Sequence, residues 1–210
     1  MSAYRALLDT GLPAASIVVA GDSAGGGLSL TTALNPEPPS FPYPLASGLI
    51  CPGVDNSEAT QAGLPDICRD AVLAKPLVTV FLSAYLNGLD PSTPVATVSL
   101  LRADLAGLPP LVIDTGADDL IVGQARELAA LARAAGIDTR YREHPGMWHV
   151  FHARPVRVRG EYPTEQGSNY RRHELRRQRW AGLLLSPGSP GCCLVVQSAG
   201  GHQLPVSLSR

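Results

Sequence analysis

The run Ser16-Ile-Val-Val-Ala20, followed at once by Gly21-Asp-Ser-Ala-Gly25 and a small-residue stretch to Leu34, constrains this chain more than any other feature. A short continuous β-branched run marks a strand buried on both faces, as in a parallel sheet. Glycines then permit a sharp turn, and a helix of small residues can follow. Strand, tight turn and helix stand in immediate succession.

The rest of the first 152 residues repeats the alternation. Tyr4 to Asp9 reads as the end of an amphipathic helix, stopped by Gly11 and Pro13. Asn35 to Pro44 is too rich in proline for a helix, and Leu45 to Cys51 reads as a second buried strand. Pro52 to Lys75 has no sustained period, after which Pro76 to Leu86 is a helix with proline in its first turn. Leu111 to Thr115 is a third strand, followed by a turn at 116–119 and a helix that stops at Gly136. Thr139 to Glu143 is a fourth. Strands separated by helices of this length call for parallel βαβ units, so the class is α/β, a mostly parallel sheet with helices on both faces.

Composition divides the chain in two. Residues 1–152 carry eight Lys or Arg against fifteen Asp or Glu, whereas 153–210 carry nine Arg, no Lys and three Glu. The halves nearly cancel to a net charge of -1, which supplies no whole-chain field for nucleic acid or an anionic membrane. The tail at 153–210 holds a possible short helix at Tyr170 to Trp180 and no coherent period beyond it. It reads as disordered or as a frameshifted extension, its arginines a solvated basic surface rather than a nucleic-acid site. No run reaches the roughly 18 to 20 apolar residues of a membrane span, and the first residues lack the build of a signal peptide. The chain therefore reads as soluble and cytoplasmic. Cys51, Cys68, Cys192 and Cys193 have neither zinc-finger nor CxxC spacing, so free thiols are expected, with no metal.

Gly21-Asp22-Ser23-Ala24-Gly25 fits the nucleophile-elbow pattern GxSxG. The pattern alone would arise by chance in roughly one such chain in six. Its placement directly after a strand and before a helix is the context that gives it weight. A helix starting there aims backbone N–H groups, Ala24 first among them, at a developing oxyanion. A serine hydroxyl needs a base. Of five histidines, His173 and His202 lie in the tail and His144 sits beside a strand end, where a structural role suffices. His149 follows the fourth strand in a loop loosened by Gly146, where a catalytic residue at the carboxyl edge of the sheet belongs. An acid should sit just past the third strand. Asp114 falls within that strand, its side chain toward a sheet face, and spacing does not choose between Asp118 and Asp119 on the loop.

These residues resemble the hormone-sensitive-lipase-like carboxylesterases of the α/β-hydrolase fold. The resemblance runs from about Tyr4 to Phe151, through AYRALLDTGLPAASIVVAGDSAGG, the DPSTPVATVSLLRADLAGLPPLVIDTGADDL stretch, and ARAAGI followed by HPGMWHVF. It implies Ser23 as nucleophile, His149 as base and Asp119 as acid, since the family's acid stands three residues after the glycine of GADDLI. It also implies an acyl-enzyme mechanism on small-molecule esters, with no cofactor, and a lid-like excursion over about 52–95. The family usually has Leu at Ile121 and acidic residues at Gly123 and Gln124. Residues 1–152 would then be the C-terminal portion of such a domain. The family's HGGG-type oxyanion loop and early strands have no counterpart before Ser23, so the expectation is an unpaired sheet edge there and a poor esterase. The alternative is a non-catalytic small-molecule-binding or remnant protein of the same fold.

Overall fold

A computed structural model of the chain describes residues 2–34, 42–87, 98–153 and 193–197. Helix α1 (Ser2–Asp9) ends where the Thr10 and Gly11 N–H groups turn back onto the Leu7 and Leu8 carbonyls. Gly11, at φ 87°, takes the left-handed conformation that only glycine adopts freely. A single 3₁₀ turn at Ala14–Ser16 then feeds β1 (Ile17–Asp22). This strand runs two residues past its β-branched stretch, so Gly21 and Asp22 stay in register beside Leu49 and Ile50.

After α2 (Ala24–Leu34), strands β2 (Ala46–Ile50), β3 (Leu111–Gly116) and β4 (Thr139–His144) add one beside the next, all parallel, with α5 (Val122–Ala134) joining the last two. Val19 lies beside Ser47, Ser47 beside Leu111, and Leu49 beside Ile113. Because side chains alternate along a strand, Ile17, Val19, Leu49, Leu111 and Ile113 share one face. On that face Tyr4 of α1 meets Ile17 and Val19, while Leu30 of α2 and Leu128 of α5 close over Leu49, Leu111 and Ile113. Burial of each such leucine or isoleucine contributes roughly 1.5–3 kcal/mol. The sequence leads one to expect helices on both faces; among the described residues, α1, α2 and α5 all lie on this one.

The far edge of β1 departs from expectation. There β5 (Cys193–Gln197) pairs in parallel with β1, Ile17 opposite Cys193 through Gly21 opposite Gln197, giving the order β4-β3-β2-β1-β5. These five residues of the tail are thus a strand, and the edge expected to be unpaired is paired. The physical reason is plain: Leu194-Val195-Val196 favours extended backbone, and pairing engages N–H and C=O groups that β1 would otherwise leave open. The rest of 154–210, including the helix expected at Tyr170 to Trp180, lies outside the described residues.

Between β2 and β3 the chain makes its excursion. Helix α3 (Glu58–Gly63) starts where the Ser57 hydroxyl accepts the Thr60 N–H, and α4 (Lys75–Leu86) carries Pro76 in its first turn. Among the described residues no helix is long and apolar enough to cross a membrane.

Candidate active site

Ser23 sits at φ 57°, a conformation that costs an ordinary residue about 1–3 kcal/mol and persists only where the surroundings impose it. Those surroundings are visible. Its N–H donates to the Ile50 carbonyl (2.9 Å), and its own carbonyl accepts from Gly26 (3.0 Å), Gly27 (3.3 Å) and Gly53 (3.0 Å). A Cβ on Gly27 would stand 2.3 Å from the Gly53 oxygen, so only glycine lets α2 press so close to the turn after β2. Ala24 opens α2, and its N–H has no carbonyl one turn earlier in that helix to bond.

Asp119 follows β3 and is 3% exposed. Its Oδ1 accepts the Ile121 N–H (2.9 Å) and its Oδ2 the Thr115 hydroxyl (3.3 Å). His149, in the loop after β4, brings Nδ1 to 3.1 Å from both Asp119 oxygens and Nε2 to 2.8 Å from Ser23 Oγ. A carboxylate only accepts, so Nδ1 carries the proton and Nε2 is left to accept from the serine. The two loops fit because Gly116 has no side chain: a Cβ there would lie 2.2 Å from the Met147 oxygen. The Asp118 N–H bonds to that same oxygen (2.9 Å), while its carboxylate points away, 3.8 Å from Arg69. The structure thus brings Ser23, His149 and Asp119 together and leaves Asp118 out. Asp114 is buried elsewhere, beside His144 and His152. His173 and His202 lie outside the described residues.

Two neighbours are electrically notable. Burial pushes the Asp22 carboxyl up from its ordinary range, partly offset by a backbone hydrogen bond and by the nearby His149 and His152. Burial, then the charge of Asp119, pushes the Cys51 thiol up to about 12. Cys51 is therefore a neutral thiol at ordinary pH, its sulfur accepting the Val150 N–H at 3.2 Å. Both Cys51 (φ 45°) and Val150 (φ 50°) share the left-handed backbone of Ser23. Among the described residues, two groups have donor atoms within 4.8 Å of one another, a spacing a metal ion could use: Cys51 with Asp119 and His149, and Asp114 with His144 and His152. In the first, a metal would need the thiolate that burial disfavours.

A family model described as the alpha/beta hydrolase fold matches residues 1–153. The chain belongs to that family. LipR of Mycobacterium tuberculosis is 37% identical over 71% of this chain and 47% of its own length. An acetyl-hydrolase of Streptomyces hygroscopicus is 34% identical over 72% of this chain and 50% of its own. The chain spans about half the length of these curated relatives. Among solved structures, an esterase from the bacterial hormone-sensitive lipase family superposes with a TM-score of 0.62 at 31% identity, covering 80% of this chain and 55% of that one.

For two residues of this α/β-hydrolase-fold chain the structure gives a role that the sequence does not show. Asp70 lies in the excursion, yet its Oδ2 accepts the Leu120 N–H (2.8 Å) and the N–H of His149 itself (3.3 Å), while Oδ1 takes those of Val72 (2.8 Å) and Leu73 (3.0 Å). One carboxylate thereby ties the excursion to both loops of the site. No spacing signals this, because the partners are backbone groups 50 and 79 residues away. Gln124 stands where the family usually has an acid. Its Oε1 accepts the Val54 and Asp55 N–H groups at 2.8 and 2.9 Å, a task for which an amide oxygen serves as well as a carboxylate.

Proposed function

We propose that this chain is a serine hydrolase of small carboxylic esters, working through an acyl-enzyme. The observation that carries the reading is the continuous line of contacts from Ser23 Oγ through His149 to Asp119, with the serine on a strained strand-to-helix turn. The relatives, named as an acetyl-hydrolase and several esterases, support the same class.

In this mechanism Ser23 Oγ bonds to the ester carbonyl carbon while His149 Nε2 takes its proton. The carbonyl π pair moves to oxygen, where the Ala24 N–H donates to the oxyanion. Collapse breaks the bond to the alcohol, which leaves with the proton from His149. Water then repeats the sequence on the acyl-serine, releasing the acid and restoring the hydroxyl. Asp119 holds Nδ1–H throughout and stabilises the imidazolium. The same proposal places the chain in the cytoplasm, a setting compatible with the free thiols Cys51 and Cys68.

A fluorophosphonate probe reads the nucleophile directly. It should label the chain at Ser23, and Ser23→Ala should abolish both labelling and any turnover of p-nitrophenyl acetate. Labelling that survives the substitution would overturn the assignment.

A further inference from the structure

Beneath the loop that carries His149 lies a second cluster that the proposed reaction does not use. Asp114 of β3 points to the sheet face opposite α1, α2 and α5 and is 4% exposed. One of its oxygens, Oδ1, lies 2.7 Å from His144 Nε2 and 2.8 Å from His152 Nε2. His144 closes β4, and His152 sits in the 3₁₀ turn Phe151–Ala153, so the two imidazoles stand at the two ends of the His149 loop. Phe151 packs beside both, its ring centroid 5.0 Å from His144 and 3.8 Å from His152.

A charge in this place is costly. On the same strand face Asp114 has Val112 two residues before it, Ile50 beside it on β2 and the exposed Arg142 beside it on β4, and an apolar side chain in its place would avoid the desolvation of a carboxylate. Burial alone would raise its pKa, but the hydrogen bonds from His144 and His152 outweigh burial and hold the carboxyl below the usual range. The charge is thus retained by the two histidines, and its geometric effect is to close the loop on itself.

We propose that Asp114 is a positioning residue whose single oxygen clamps both ends of the 144–152 loop and so sets the distance from His149 Nε2 to Ser23 Oγ. The proposal rests on His149 being the base of the proposed hydrolase. Within the loop, Gly146 (φ 71°) turns freely, but Val150 (φ 50°) holds a left-handed backbone that a β-branched residue keeps only where its surroundings impose it. The loop's other ties are the His149 ring to Asp119 and Ser23, the Ala117 and Met147 N–H groups to the His144 oxygen, Asp118 N–H to the Met147 oxygen, His149 N–H to Asp70, and Val150 N–H to the Cys51 sulfur. A displacement of about 1 Å at a reacting group can cost about 10²-fold in rate, so a clamp remote from the serine can matter to the chemistry.

The test uses the full chain and two readouts. In Asp114→Ala, Ser23 should be labelled by the fluorophosphonate about 10- to 100-fold more slowly. For ester turnover, the loss should fall on kcat, with KM within about twofold. The low-field proton resonance of His149 Nδ1–H, held by Asp119, should broaden or vanish. Asp114→Asn keeps an acceptor oxygen in place and should recover most of both signals, which also guards against a variant that merely fails to fold. Unchanged labelling and an unchanged resonance in a folded Asp114→Ala would overturn the clamp. So would loss of labelling on chelation with EDTA and its return with zinc, which would make the cluster a metal site instead. Absence of Ser23 labelling in the parent chain would count against the hydrolase reading alone, since the resonance still reports whether Asp114 orders the loop.

Discussion

Helices α4 and α5 are nearly equal in length, yet they are held by different physics. Helix α5 buries Ala125, Leu128, Ala129 and Ala132 against the sheet, whereas α4 buries Val78 and leaves Val80 (64%), Phe81 (58%) and Tyr85 (54%) exposed. The sheet half coheres through apolar contact. The excursion is joined to the site by Asp70, which accepts from both loops, by the bonds from the Asp55 region to Gln124, and by a small apolar cluster of Leu73 and Val78 with Leu120 and Ile121. The polar part of that attachment is directional and fixes angles at the site, while its apolar cluster is small beside the core under the sheet. The comparison suggests that damage to the two regions should register in different measurements.

The most severe break is at the junction of the two loops. Asp119→Asn should slow acylation of Ser23 by up to about 10⁴-fold, because an amide can stabilise the wrong imidazole tautomer. Asp118→Asn, which loses only a partly exposed pairing with Arg69, should leave the rate nearly unchanged. Stopped labelling time courses would rank the two, and the reverse order would move the acid to Asp118.

The contrast between helices is sharpened by truncating one side chain on each. Leu128→Ala empties a fully buried site and should cost about 2–5 kcal/mol in urea unfolding. Phe81→Ser, on the exposed face of α4, should stay within about 0.5 kcal/mol. Equal costs would mean that α4 is covered in solution.

Asp70→Ala should cost less than Leu128→Ala and act more selectively. Asp70→Ala leaves four N–H groups without their acceptor, worth about 1–3 kcal/mol in unfolding. It should also slow Ser23 labelling, although Asp70 touches neither the serine hydroxyl nor the imidazole ring. Hydrogen exchange at Leu120 and His149 should accelerate with it. Protection there that survives the substitution would show that the excursion is not what steadies the loops.

Strands and elbow were legible because their signals are local. Ile17-Val18-Val19 can be read as a buried strand from three adjacent residues, and Ser23 from two flanking glycines. His149 and Asp119 followed from chain order and family pattern, since nothing local distinguishes Asp119 from Asp118. What escaped was short or remote. Helix α3 has only six residues and no apolar stripe, and its start is marked by the lone cap at Ser57. The strand at Cys193–Gln197 was hidden by the glycine-, serine- and proline-rich stretch around it, although Leu194-Val195-Val196 carries strand character. Asp70 and Asp114 act across the sheet edge on groups far away in sequence, where periodicity has nothing to say.

The hydrogen bond between Ser23 and His149 spans 126 residues of chain. Every strand pairing in this sheet is parallel, so each must wait for a crossover to close before it gains any contact. Non-local topologies of this kind fold slowly, and their helices can form well before distant loops meet. The relay is consequently among the last features to assemble. Helical circular dichroism would return early in refolding while the serine stayed unreactive, and the appearance of a reactive Ser23 marks the moment when the chain has closed upon itself.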